Sequence, residues 1–441
     1  MSEALDRARR ILSRLPQGGL FHEKSWRVSP DAFELPAHLV EPLEKLGYRL
    51  RKFVRACNDL YHLSAKGRQP RWIAELLDAG KPPELVALQR ERSQRNEIPR
   101  VIRPDLILTE RGFIISELDN VPGGIGLTAW LNRVYSENPA ADVIGGRDGM
   151  LEGFASIFPG GDIVVSEESA TYRPEMEWLA RELNAQKRGA GHWTVKGAES
   201  GQAWAARVYR FFELFDLANV PAAAELRAKA AAGEVSVTPP FKPALEEKLW
   251  LGLFWMKPLE EYWRRALGER TLLALREHIP YTWLIKPGDL PVHAVIPRLE
   301  ISSWEQAARF TQRQRELVIK VSGFSDQAWG ARGVTVGHDV SQREWTDALH
   351  AALGSWPGSP QVMQVFHSGA VFTQPYLADD GGALIDLKGR VRLCPYFFVG
   401  EKETRLGGAL ATLCPADKKL IHGMTDAILS PAAWPSGSGA G

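Results

Sequence analysis

Arg103-Pro104-Asp105 and Glu117-Leu118-Asp119 are the residues of this 441-residue chain whose types and spacing most directly suggest chemistry. Residues two apart on a strand point to the same face, so Glu117 and Asp119 are expected side by side. Asp105 falls on the partner strand of a hairpin that turns near Glu110-Arg111-Gly112. Three carboxylates on one face repel one another unless a cation neutralises them. An all-oxygen set of this kind suits Mg2+, which is usually held by one or two carboxylates plus substrate phosphates. Arg103, on the same face as Asp105, can pair with a phosphate oxygen. The plainer reading is a charged hairpin facing water, and spacing alone does not separate the two.

A second candidate is the strand Val318-Ile319-Lys320-Val321 and the loop after it, which carries Ser322, Gly323, Gly330 and Gly333. A lysine ending an apolar strand before a glycine-bearing loop can cradle phosphates: backbone N–H groups bind the oxygens and the ammonium adds charge. No G-K-[ST] follows the glycines, so this is not a Walker A loop. A strand-capping lysine beside an ordinary surface loop is the competing reading. Glu247-Lys248-Leu249-Trp250 is a third feature, although a lysine on an apolar helix most often snorkels to the surface. The histidines show no zinc-ligand spacing, and there is no G-x-S-x-G elbow. Cys394 and Cys414 lie in apolar strands and are expected to be buried rather than nucleophilic.

These groups need a scaffold, and the hydrophobic periodicity divides the chain into blocks. Residues 1–100 read as a helical region, with Leu39, Leu43, Leu46 and Leu50 at helical spacing. Residues 101–135 hold the hairpin and a short helix. Residues 136–240 alternate strand and helix, which indicates a parallel α/β sheet. Residues 241–430 begin with a strongly apolar helix, Leu245 to Leu267, and continue as mixed strands and helices, including a helix near Trp304–Arg315. Residues 431–441 read as a flexible tail. The fold class is therefore α/β.

Composition narrows the options. Lys+Arg number 54 and Asp+Glu 53, so the formal net charge is +1, which argues against a protein held to nucleic acid by phosphate neutralisation. A hydrophobic content of 44% excludes a disordered chain. No apolar run reaches transmembrane length, and three cysteines are too few for a disulfide framework, so a cytoplasmic protein is expected. A homo-oligomer is compatible with all of this.

The order of the pieces is more informative than any one of them. An R-x-D, a hairpin, an E-x-[ND], an α/β block, an E-K and then strand-Lys-Gly-loop resembles the circularly permuted ATP-grasp ligases. Glutathionylspermidine synthetase and eukaryotic-type glutathione synthetase belong to that group. The resemblance spans residues 100–430 and implies an α+β ATP-grasp fold with an inserted Rossmann-like parallel-sheet domain. It implies ATP and Mg2+ as cofactors, with Asp105, Glu117 and Asp119 holding the metal. Asp119 stands where the family usually has Asn. Arg103 would contact the transferred phosphoryl group, and Arg392, with Arg405 second, would supply the family's late arginine. Lys248, Lys320, Ser322, Gly323, Gly330 and Gly333 would hold the phosphates, in a loop less glycine-dense than usual. Gln364, Val365 and Phe366 would meet the adenine edge. The activity implied is ligation of a carboxylate to an amine on an amino-acid, peptide or polyamine-like substrate, without nucleic acid or membrane. A phosphotransferase on the same fold, and an ATP-binding regulatory or scaffold protein without turnover, are the alternatives.

Overall fold

The computed structural model describes residues 3–16, 25–188, 191–198, 203–288, 295–328, 332–401, 403–418 and 426–436. The chain is mixed α/β and divides into two compact units. The first comprises Met1–Phe53, Asn96–Phe241 and Ser368–Gly441, and the second comprises Val54–Arg95 and Lys242–His367. The first division falls within the helix Val40–Ala65.

The first unit holds two sheets. One has seven strands, running Phe33–Glu34, Ile428–Ala433, Thr404–Pro415, Leu384–Val399, Val101–Thr109 and Gly112–Asp119, with Val371–Leu377 also paired to Leu384–Val399. All its pairings are antiparallel except Phe33–Glu34 with Ile428–Ala433. The other sheet is parallel, with strand order Trp193–Gly197, Gly161–Val165, Arg207–Phe211 and Ser236–Thr238. A single apolar core containing Trp130, Phe154, Leu179, Tyr209 and Phe398 joins the two sheets and the helices Ile125–Tyr135, Gly149–Ile157 and Arg173–Ala185. Burying a side chain of this size contributes about 1.5–3 kcal/mol.

The second unit is built on a four-stranded antiparallel sheet of order Val334–Val336, Leu317–Val321, Gln361–Val365 and Thr282–Ile285. Trp345, Leu349 and Ala352 of the helix Gln342–Gly354 pack on Ile319 and Met363. That helix starts at a capping box in which Ser341 and Glu344 satisfy each other's backbone N–H.

Three stretches depart from the periodicity reading. Leu245 to Leu267 is not one helix but two, Leu249–Trp255 and Glu260–Leu267, separated by the turn Lys257–Leu259. Pro258 has no N–H to donate and disfavours helix in the residue before it, so the apolar period continues while the helix cannot. The helix at Trp304 stops at Ala308, and Arg315 donates instead to the Val340 and Ser341 carbonyls. Within 431–441, residues 431–433 belong to the strand Ile428–Ala433, which pairs with Leu410–Leu413, and residues 437–441 lie outside the described residues. No helix among the described residues is long and apolar enough to cross a membrane.

Candidate active site

The hairpin Val101–Thr109/Gly112–Asp119 changes character halfway along. Near the turn, Leu108 faces Phe113 and Leu106 faces Ile115, and all four are buried. The register then shifts: Asp105 pairs with Glu117 and Arg103 with Asp119, leaving Ser116 as an extra residue with no opposite. Its hydroxyl donates to the Asp105 carbonyl at 3.0 Å. Strict alternation would put Glu117 and Asp119 on the same side as Phe113 and Ile115, in the core. The bulge turns them to the other side, beside Arg103 and Asp105.

Arg103 organises that face. Its Nε donates to Asp105 Oδ1 at 3.1 Å, Nη2 lies 2.9 Å from Asp119 Oδ2, and Nη1 donates to the Gly123 carbonyl at 3.1 Å. The strand Leu384–Val399 adds to the face, because Arg392 pairs with Ile107 and Phe397 with Ile102, a register that sets Cys394 opposite Asp105. Arg392 Nη1 lies 3.3 Å from Asp105 Oδ2, the Cys394 thiol contacts Asp105 Oδ1 at 3.4 Å, and the Tyr396 hydroxyl donates to the Gly123 carbonyl at 2.7 Å. The Nε of Arg392 is buried and has no hydrogen-bond partner among the described residues. Arg405 pairs with Glu152 instead.

The Gly123 carbonyl is itself held from behind. Asp119 Oδ1 accepts the Val121 N–H at 2.9 Å, which starts the turn. Gly124 sits at φ 85°, and a Cβ there would come 2.5 Å from the Tyr396 hydroxyl, so only glycine fits. Buried Glu175 accepts the N–H groups of Gly124 at 2.7 Å and Leu127 at 3.2 Å, satisfying donors at the start of the helix Ile125–Tyr135.

Charge on this face is finely divided. Burial pushes the Asp105 carboxyl up, but Arg103 and then Arg392 outweigh it and hold it below the usual carboxylate range. Asp119 goes the other way: burial raises it, and Arg103 only partly offsets that, with Asp105 and Glu117 adding to the rise. Burial and the neighbouring Asp105 carboxylate push the Cys394 thiol up to about 12, so it stays protonated and is no nucleophile at neutral pH.

In the second unit, Lys320 is buried on its strand and donates to Gln364 Oε1 at 2.9 Å, while Gln364 Nε2 donates to the Thr282 hydroxyl at 3.2 Å. The pair sits diagonally across the strands, since Lys320 is opposite Val362 and Gln364 opposite Val318. The Lys248 ammonium does not point into solvent. It donates to the carbonyls of Ser322 at 3.3 Å and Ala328 at 3.1 Å, at the two ends of the loop's first turn. Val321 N–H donates to the Gly333 carbonyl at 3.1 Å and closes the loop at its far end. Gly330 lies outside the described residues. The N–H groups of Val365 and Phe366 are bonded to the Tyr281 and Glu316 carbonyls, each at 3.0 Å.

The oxygen-only donors Asp105, Glu117 and Asp119 suit Mg2+ in kind. Among the described residues, however, no group of three His, Cys, Asp or Glu side chains is disposed to hold a metal ion, and two of these carboxylates are engaged by arginines. Such a set fits a cation completed by phosphate oxygens, not a site closed by protein alone.

Several participants were invisible to spacing. Tyr396 and Cys394 reach the face only through strand pairing, and Glu175 only through helix packing. Lys81, whose ammonium lies 2.5 Å from Glu247 Oε1, carries no motif at all.

Taken together, the antiparallel seven-stranded sheet, the parallel sheet and the separate lysine-bearing sheet define a glutathione-synthetase-like fold. One solved structure with this likeness is a glutathione synthetase-like effector from Globodera pallida in its apo form. It aligns over 98% of this chain and 96% of its own, with a TM-score of 0.56 and 11% identity. A protein from Methylobacillus flagellatus KT, provisionally described as a gamma-glutamylcysteine synthetase, aligns over 90% of this chain and 89% of its own at 11% identity, but its TM-score of 0.39 is too low to bear on the fold. No protein-family model and no curated protein sequence matches the chain.

Proposed function

We propose that this protein is an ATP-dependent ligase of circularly permuted ATP-grasp type, joining a carboxylate to an amine on amino-acid, peptide or polyamine-like substrates through an acyl phosphate. The observation that carries this reading is the bulge-ordered face on which Arg103, Asp105, Glu117, Asp119 and Arg392 meet. Phosphoryl transfer needs little covalent chemistry from a protein and depends on positioning and on charge placed where charge develops.

In the first step a carboxylate oxygen bonds to the γ-phosphorus, the bond from that phosphorus to the bridging oxygen breaks, and ADP leaves. In the second the amine nitrogen bonds to the acyl carbon, phosphate leaves, and the nitrogen gives its proton to solvent. Mg2+, when bound, supplies positive charge against the phosphate oxygens. Asp105, Glu117 and Asp119 would hold it. Arg103, bonded to Asp105, Asp119 and Gly123, keeps that face in order. Arg392, paired with Asp105, would add positive charge for an anion on the same face. In the second unit Lys248, Lys320, Ser322, Gly323 and Gly333 are assigned to the phosphates, and the segment Gln364 to Phe366 to the adenine.

A second reading, an ATP-binding protein without turnover, is favoured by one observation: all three Arg103 nitrogens are already bonded within the protein. Release of ADP and phosphate from MgATP, measured over a panel of carboxylates with and without amines, separates the two. Release that requires both substrates supports the ligase, whereas tight MgATP binding with no release across the panel supports the second reading.

A further inference from the structure

Glu247 is a buried carboxylate with two different partners. One oxygen meets the Lys81 ammonium at 2.5 Å, with both side chains about 1% exposed, and the other accepts the Ser322 hydroxyl. The Ser322 hydroxyl oxygen in turn accepts the Leu249 N–H at 2.9 Å, and the Ser322 N–H donates to the Pro360 carbonyl at 3.1 Å. Gly323 follows, where a Cβ would come 2.4 Å from the Glu246 carbonyl oxygen. Phe324 then adopts φ 48°, a left-handed conformation that a bulky residue holds only when its surroundings impose it. The Lys81 ammonium lies 5.6 Å from the centre of that Phe324 ring. Lys81 therefore touches the loop twice, through Glu247 to Ser322 and directly at Phe324.

A buried ion pair gains little stability over apolar residues of the same volume, because desolvating both charges offsets their attraction. Its use lies in specifying one geometry. We propose that Lys81 is a positioning residue for the nucleotide phosphates, fixing the loop Ser322–Ala328 through Glu247. This rests on the nucleotide assignment made above. Lys81 neutralises Glu247 at the base of the loop. The neighbouring Lys248 ammonium donates to the Ser322 and Ala328 carbonyls, at the two ends of the same loop turn.

The test uses the full chain, with thermal unfolding, titration with MgAMP-PNP and amide hydrogen exchange over 322–328. Lys81→Met leaves the buried carboxylate unpaired, so unfolding temperature and nucleotide affinity should both fall. Lys81→Met/Glu247→Leu removes both charges. It should regain most of the unfolding temperature yet bind MgAMP-PNP about tenfold or more weakly, with faster exchange over 322–328, as expected for losing one charge-assisted hydrogen bond. Should the double variant not fold, Ser322→Ala detaches the loop and spares the ion pair; because Ser322 is itself assigned to the phosphates, it is read by exchange alone and is expected to show the same loss of protection over 322–328. Wild-type affinity and exchange in the double variant, or wild-type exchange in Ser322→Ala, would overturn the role of Lys81. If the wild-type protein itself fails to bind MgAMP-PNP, the nucleotide assignment falls, and exchange over 322–328 still decides whether Lys81 orders the loop.

Discussion

Arg103 and Asp119 meet at 2.9 Å across the acidic hairpin because Ser116, three residues before Asp119, is bulged out of register. The contact between a guanidinium on one strand and a carboxylate on the next thus depends on a residue with no charge. Deleting Ser116 removes the extra residue but leaves Glu117 opposite Asp105 and Asp119 opposite Arg103 in plain alternation, so both carboxylates should keep their side. Deleting Leu118 instead sets Asp119 opposite Pro104, on the side of Phe113 and Ile115, and burying that carboxylate without a partner is expected to cost several kcal/mol or abolish folding. Ser116→Ala keeps the bulge and loses one hydrogen bond, so it should cost only about 0.5–1.5 kcal/mol. Urea unfolding of the three variants checks this, and equal stabilities of the two deletions would mean that strand register does not orient the carboxylates.

The two arginines on this face should fail differently. Arg103→Met abandons Asp105, Asp119 and the Gly123 carbonyl together, and removing one partner from a buried charge cluster typically costs about 3–5 kcal/mol. Among the described residues Arg392 pairs with Asp105 alone, and its Nε has no hydrogen-bond partner. Arg392→Met is therefore expected to lose less stability and more turnover. Unfolding midpoints and steady-state rates measured on both variants test this, and a larger stability loss in Arg392→Met would reverse the assignment.

His62 gives the second unit a pH dependence. It is buried, its ring lies edge-on to Tyr61, and its Nε2 has no hydrogen-bond partner among the described residues. Burial, with Lys242 and Lys66 adding to it, lowers it from 6.5 to about 4. Between those values the unfolded chain takes up a proton that the folded chain refuses, so stability should decline as pH falls from about 6.5 towards 4. His62→Phe should flatten that decline. Denaturant midpoints at pH 7, 5.5 and 4.5 provide the comparison, and parallel curves for the two proteins would count against a buried neutral His62.

What could be read from the sequence was local. The acidic hairpin, the strand ending near Lys320 and the alternating elements of 136–240 announce themselves through periods of two and of three to four residues. Those periods are set by the backbone of each segment alone. The bulge at Ser116 escaped because a single extra residue leaves the apolar pattern of Phe113 and Ile115 intact while reversing the sides to which Glu117 and Asp119 point. Cys394 and Tyr396 read as ordinary strand residues because their face is set by pairing with a segment 289 residues earlier in the chain. Lys81 and Glu247 meet through tertiary packing, which leaves no spacing to detect. The break at Pro258 was available to chain chemistry but was masked by the continuous apolar run around it.

The most direct test of the ligase assignment is hydroxylamine trapping. The wild-type protein, MgATP and a panel of amino-acid and peptide carboxylates are incubated with hydroxylamine, and hydroxamate and ADP are quantified together. The expected result is carboxylate-dependent hydroxamate in step with ADP, reduced about a hundredfold or more in a folded Glu117→Gln variant that has lost a metal-holding carboxylate. ADP formed without any hydroxamate, or wild-type yields from Glu117→Gln, would contradict it.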